Sequence, residues 1–310
     1  MIEPEPPHVE SPQERVSRRR VLALGGGAVV AAVGLSGGMI EWARRTASAR
    51  SVTGVAAPTA TPAVTSTPAL DEGDETWPPP PLGLSTSVPT EFVFRPDPNV
   101  PPDESRLIRE SAVFAREYFR KQTGFYITNR PRIHLDMQRT SGPLGTADGR
   151  DIVLLVGNRT WPRLSRVDKI AVVCHEVFHL YQIALADGAS SPILWLIEGA
   201  AEYASQMAVI DAGMRDKAAW EASVIGQVVA SPQPPLAVAG RSPQATEYAL
   251  GALAADQLVG PRGVPPLADY YRRLHDQSPL EAFAAAFGET RTAFETRFEA
   301  WRIQRGIAAR

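Results

Sequence analysis

Cysteine is almost missing from this chain of 310 residues: Cys174 stands alone, so no disulfide can form within it. That excludes the disulfide-scaffold class. A folded region of ordinary domain length can still bury enough apolar surface without such staples. An excess of charge of one sign is lacking too. Lys and Arg number 32 against 34 Asp and Glu, a formal net charge of −2, with no cationic stripe outside the extreme N-terminus. Nucleic acid is therefore not an expected partner. No internal repeat at a solenoid period is visible. Histidine is scarce at five residues, which makes the pair His175 and His179 conspicuous. Proline is in surplus, with 28 residues crowded mostly into the first third.

Residues 1–49 have the layout of a targeting segment. A polar lead ends in Arg15, Arg18, Arg19 and Arg20, and an uncharged apolar run follows from Val21 to Ile40, interrupted by six glycines. Charged region, apolar region and small residues, in that order, make an export signal. Ser17-Arg18-Arg19-Arg20-Val21-Leu22 resembles the twin-arginine consensus, with Val21 where phenylalanine is usual, and Ala47-Ser48-Ala49 offers a cleavage site. The competing reading is an uncleaved membrane tether through residues 21–40, because twenty helical residues reach about 30 Å, enough to cross a bilayer core. Either reading places the rest of the chain outside the cytoplasm. Residues 50–88, rich in Pro and Thr, cannot bury enough apolar surface to offset chain ordering and read as a disordered linker.

Residues 89–310 read as one folded domain. Leu107, Ile108, Ala112, Phe114, Ala115 and Phe119 recur at helical spacing over 103–122. Segments 131–137 and 151–156 read as short strands, with Gly142, Gly145 and Gly149 between them as turn residues. After Trp161-Pro162 the pattern is helical: about 166–185, started by Ser165 and Asp168, then 192–210, 216–230 and 243–259, and two or three more helices to Gly306. Phe283, Phe287, Phe294, Phe298 and Trp301 form the expected buried stripe of the last part. The sum is an α+β fold, a small strand region followed by a mainly helical body.

Chemistry concentrates in Val173-Cys174-His175-Glu176-Val177-Phe178-His179. Histidines four apart share one helix face, so their ring nitrogens can converge on one Zn2+ ion at about 2.0–2.1 Å. Glu176 lies beside that face, placed to take a proton from a water that the ion acidifies. Ile170, Val173, Cys174, Val177, Phe178 and Tyr181 would lock the other face into the core. The bland alternative is an amphipathic helix with surface histidines, and these flanks are too apolar for that. A hydrolytic zinc site wants three protein ligands and an open position. The third candidate is Glu198 in Trp195-Leu196-Ile197-Glu198-Gly199, separated from His179 by eighteen residues that include a break at Gly188–Pro192. Glu202, one turn after Glu198, can accept from the distal N–H of a ligand histidine. Tyr203 reads as packing, Cys174 as a small buried hydrophobe, and His134 and His275 as structural.

These segments resemble the gluzincin peptidases, whose pattern is HExxH, a spacer, and a glutamate on a following helix. The spacer and the W-L-x-E-G-x-A-x-Y style look like the aminopeptidase branch. HEVFHLYQ, LWLIEGAAEY, YALGALAADQLV and AFAAAFG look more like the peptidase MA-like group, over roughly 165–305. The resemblance implies a zincin-like body with His175, His179 and Glu198 as ligands of one zinc ion, Glu176 as general base and Tyr248 steadying the oxyanion. No GxMEN-type segment is present, which favours an endopeptidase over an aminopeptidase. The expectation is thus an exported zinc metallopeptidase acting on a peptide or protein. Its rival is a non-catalytic, zinc-containing exported module that binds peptide or cell-envelope material.

Overall fold

The expected helix over 103–122 spans Pro102–Thr123 (α1). Asp103 and Glu104 lie in its first turn and Arg120 and Lys121 in its last, each sign opposing the adjacent end of the helix dipole. Gly124, at φ 86°, takes the left-handed conformation that stops it. In this computed structural model residues 82–189, 191–230, 232–240 and 245–307 are described. The expected export segment and most of the linker lie outside the described residues.

Six short strands surround α1 in the chain: β1 (Leu84–Ser85), β2 (Val93–Arg95), β3 (Tyr126–Ile127), β4 (Arg132–Leu135), β5 (Gly145–Asp148) and β6 (Asp151–Leu154). Leu84–Ser85 falls inside the stretch expected to be linker, where it pairs antiparallel with β3. The main sheet runs in the order β2-β4-β6-β5, with β2, β4 and β6 parallel and β5 antiparallel to β6. Alternation sends Ile133, Leu135, Ala147, Ile152 and Leu154 into the core. Gly142 and Gly149 sit at positive φ as turn residues do, and Gly149 opens the two-residue hairpin loop between β5 and β6. Gly145 was also expected in a turn, but it begins β5. Four residues of the type Gly-Thr-Ala-Asp carry little strand signal of their own, and pairing with β6 decides the matter.

The helical body follows: α2 (Arg166–Leu185), α3 (Leu194–Asp211), α4 (Lys217–Val229), α5 (Ala245–Val259), α6 (Pro265–Arg273), α7 (Pro279–Phe287) and α8 (Arg291–Gln304). Every residue of α2 from Ile170 to Leu185 is buried, because α1, α3, α6 and β5 all press on it. A helix covered on all sides belongs to the core rather than the surface. Phe283, Phe287, Phe294 and Phe298 are buried as expected, while Trp301 is only partly so. The architecture is α+β, a small strand region ahead of a mainly helical body. Among the described residues no helix is long and apolar enough to cross a membrane.

The α3–α5 crossing is set by glycine. A methyl group at Gly199 would lie 2.4 Å from the Gly251 carbonyl, and one at Gly251 would lie 2.8 Å from the Trp195 carbonyl oxygen. The two backbones therefore touch at the residue immediately after Glu198, a separation no larger side chain permits.

Candidate metal centre

The site begins with a fixed helix start. Ser165 Oγ accepts from the Asp168 amide at 3.1 Å and Asp168 Oδ2 accepts from the Ser165 amide at 3.3 Å, a reciprocal cap for α2. Nine residues on, His175 and His179 project from one face, their rings 4.7 Å apart. Both are fully buried. From α3, Glu198 reaches between them. His175 Nε2 lies 3.0 Å from His179 Nε2 and 3.4 Å from Glu198 Oε2, and His179 Nε2 lies 3.3 Å from the same oxygen.

That triangle can be tested against a metal ion. Ligands at about 2.0–2.1 Å from a tetrahedral centre stand about 3.3–3.4 Å from one another. The three observed edges match within a few tenths of an ångström, and the set His, His, Glu is buried and converges from two helices. Tautomers agree. His175 Nδ1 is 3.2 Å from Glu202 Oε2 and His179 Nδ1 is 2.6 Å from Gln182 Oε1. Each acceptor draws a proton to Nδ1 and turns the Nε2 lone pair toward the centre. Two ring nitrogens facing each other across 3.0 Å need a cation between them, either a proton or a metal ion.

The electrostatics agree. Burial acts to lower the proton affinity of His175, yet the carboxylates of Glu198 and Glu202 raise it to about 10. Burial acts to raise Glu198, and the two imidazoles hold it at about 2. A field that holds a proton so firmly on a ring nitrogen holds a metal cation at the same lone pair. Glu176 behaves differently. Burial pushes its carboxyl up to about 7, against the pull of His175 and His179 and with a contribution from Glu198. Neither of its oxygens has a hydrogen-bond partner among the described residues. A buried carboxyl whose oxygens have no hydrogen-bond partner is suited to exchange a proton.

β5 presses on this carboxyl. A methyl at Gly145 would lie 2.5 Å from Glu176 Oε1 and 2.7 Å from its Cγ, so any larger residue there must push the Glu176 side chain aside. Glu202 is itself held: Gln206 Nε2 donates to its Oε1 at 3.0 Å, Arg215 donates to Gln206, and Arg215 pairs with Asp168. The chain of contacts returns to the cap of α2, joining the support of His175 to the start of its own helix.

Tyr248, on α5, is buried with its ring 6.4 Å from that of His175. Tyr203 packs against Trp220 at 6.3 Å, and Cys174 is wholly buried with its thiol pushed up by burial. His134 lies 3.3 Å from Asp151 on the sheet, and His275 is beside Asp187 at an exposed position. Sequence reasoning passed over Gln182, Gln206, Arg215 and Gly145. Gln206 had a signal, since Glu198, Glu202 and Gln206 recur every four residues along one face. Gly145 had none, because only the tertiary approach of β5 to α2 gives it a role.

No protein-family model matches the chain, and no curated protein does. Among solved structures it is similar to an M1 zinc metallopeptidase from Deinococcus radiodurans in a mutant form, at 17% identity and a TM-score of 0.44, over 71% of this chain and 52% of that one. A two-domain M1 zinc metallopeptidase mutant bound to L-arginine is similar to the same degree, at 17% identity and 0.44, over 71% and 51%. The chain spans about half the length of the solved structures it matches. A likeness that distant leaves the functional argument to the site itself.

Proposed function

We propose that the chain is an extracytoplasmic zinc-dependent metallopeptidase that cleaves within peptide or protein chains. One observation carries the reading: His175, His179 and Glu198 form a triangle of metal-ligand dimensions with the open carboxyl of Glu176 beside it. A zinc ion held there supplies a Lewis acid and acidifies water toward a pKa of about 7. Glu176, whose carboxylate oxygens have no hydrogen-bond partner among the described residues, would carry a proton from the attacking water to the leaving amine. Glu202 and Gln182 hold the two imidazoles with Nε2 inward. Tyr248 is our candidate for the donor that meets the carbonyl oxygen as negative charge develops on it.

The absence of a GxMEN-type segment supports endopeptidase over aminopeptidase action. The arginine cluster, the apolar run at 21–40 and the Pro/Thr stretch support export, with either a cleaved signal or a tether at the N-terminus. The test is metal content by mass spectrometry, with cleavage products from a peptide library, on the exported protein. Zinc with cleavage is the expected result. Zinc without cleavage favours the non-catalytic binding module instead, and a protein that takes up no zinc overturns both. Fractionation of expressing cells, with the mass of the mature chain, tests the location.

A further inference from the structure

The two ligand histidines are backed by groups of different charge. Behind His175 stands the carboxylate of Glu202, and behind His179 stands a neutral amide, Gln182. Gln182 is 1% exposed and uses both ends of that amide. Its Oε1 faces His179 Nδ1 at 2.6 Å. Its Nε2 donates to the Ile197 carbonyl at 2.8 Å and to the Tyr271 hydroxyl at 2.9 Å. Tyr271, on α6, donates in turn to the Leu196 carbonyl at 3.2 Å. Leu196 and Ile197 are the two residues before Glu198.

An amide nitrogen only donates, and one of its two partners is a carbonyl, which only accepts. The side chain therefore has one orientation, and in it the ring of His179 must carry its proton on Nδ1. A single amide group thus ties the imidazole of one ligand to the backbone just ahead of another. Fully shielded from water, these bonds meet no competition from solvent.

We infer that Gln182 is a positioning residue that sets the spacing between the ligands on α2 and the ligand on α3, with Tyr271 bracing it from α6. The inference rests on the zinc reading above. The neutral amide also avoids a further negative charge beside Glu176, Glu198 and Glu202, so Gln182→Glu is no conservative exchange. A glutamate there would turn an acceptor toward the Ile197 carbonyl and lose both donated bonds.

A merely structural glutamine would lower stability in metal-free and metal-loaded protein alike. A positioning glutamine changes the metal equilibrium and the tautomer of His179. The experiment measures the zinc dissociation constant by chelator competition on the full chain, for the native protein, Gln182→Leu and Tyr271→Phe. It adds 15N NMR of the histidine rings and thermal melts of the metal-free forms. Gln182→Leu is expected to weaken zinc about 10–100-fold and to lose the Nδ1–H signature of His179. Tyr271→Phe keeps the packing and is expected to weaken zinc several-fold with the tautomer retained. Zinc affinity within twofold of native in Gln182→Leu, with the native protein binding zinc, overturns the positioning role and leaves the proposed function standing. Should Gln182→Leu fail to fold, native affinity in Tyr271→Phe overturns it instead. A native chain that binds no zinc overturns both readings together.

Discussion

Glu176 is a carboxyl in a place where charge is costly. Burial raises it to about 7, and among the described residues neither of its oxygens has a hydrogen-bond partner. Glu176→Gln keeps shape and volume, so zinc content should stay at the native level while kcat falls by about 10²–10⁴-fold, read by metal analysis and peptide cleavage side by side. Gly145 tests the same group from the outside. Its alanine variant places a methyl against the far end of a flexible side chain, so the fold should survive and the carboxyl should be displaced. We expect Gly145→Ala to keep zinc and its melting temperature within a few degrees, with kcat down about 100-fold, the scale of a 1 Å misplacement. Loss of folding rather than of turnover would refute that division. At this scale the sequence was most informative. His175 with His179, and Glu198 with Glu202, are each spaced by the helix repeat, and a helix repeat is local. Gln182 shares that spacing, three residues after His179, but its partners Ile197 and Tyr271 lie fifteen and eighty-nine residues away.

Between elements, two contacts carry distinct consequences. At the α3–α5 crossing Gly251→Ala drives a methyl into backbone on the neighbouring helix, with no side-chain tip to give way. The expected cost is about 1–3 kcal/mol of stability, together with weaker zinc binding as Glu198 moves with α3, measured by denaturant melts with and without zinc. On the sheet, Arg132 and Asp151 face each other across β4 and β6, 2.5 and 2.6 Å apart in a two-pronged pair. Burial works against the Asp151 carboxylate, but His134 and Arg132 hold it at about 2. A folded-state value below the unfolded one of about 3.9 means that the pair stabilises above pH 4 and loses its contribution as pH falls through about 2. Asp151→Asn should thus cost about 1 kcal/mol near pH 7, a figure kept small for partial exposure, and the gap to native protein should close toward pH 2. Strands of this kind were the least legible part of the chain. β4 and β6 alternate visibly, whereas β1, β2, β3 and β5 have two to four residues each and owe their state to partners distant in sequence.

For the molecule as a whole, the centre is a bolt through the core. α2 is buried from Ile170 to Leu185, and its two imidazoles meet Glu198 of α3 within the core. Removing a bound ion takes away the link that joins the two imidazoles of α2 to Glu198 of α3, and a proton on His175 replaces it only in part. With zinc at a thousandfold over its Kd the linkage is about 4 kcal/mol. Chelation should therefore lower the melting temperature by on the order of 10 °C, reversed by zinc and not by magnesium, whose octahedral oxygen shell this His-His-Glu set does not offer. A melting curve indifferent to chelator would count against the ion.

The solitary thiol gives this prediction a second reading. Cys174 has no exposed surface, directly precedes His175 and keeps its proton tightly. A thiol reagent can reach it only when the core around α2 opens, so the rate of labelling is a stopwatch on native-state breathing that the chain carries without alteration. If the ion clamps α2 to α3, zinc should slow that clock in proportion to its occupancy, and each variant named above can be timed by the same sulfur atom.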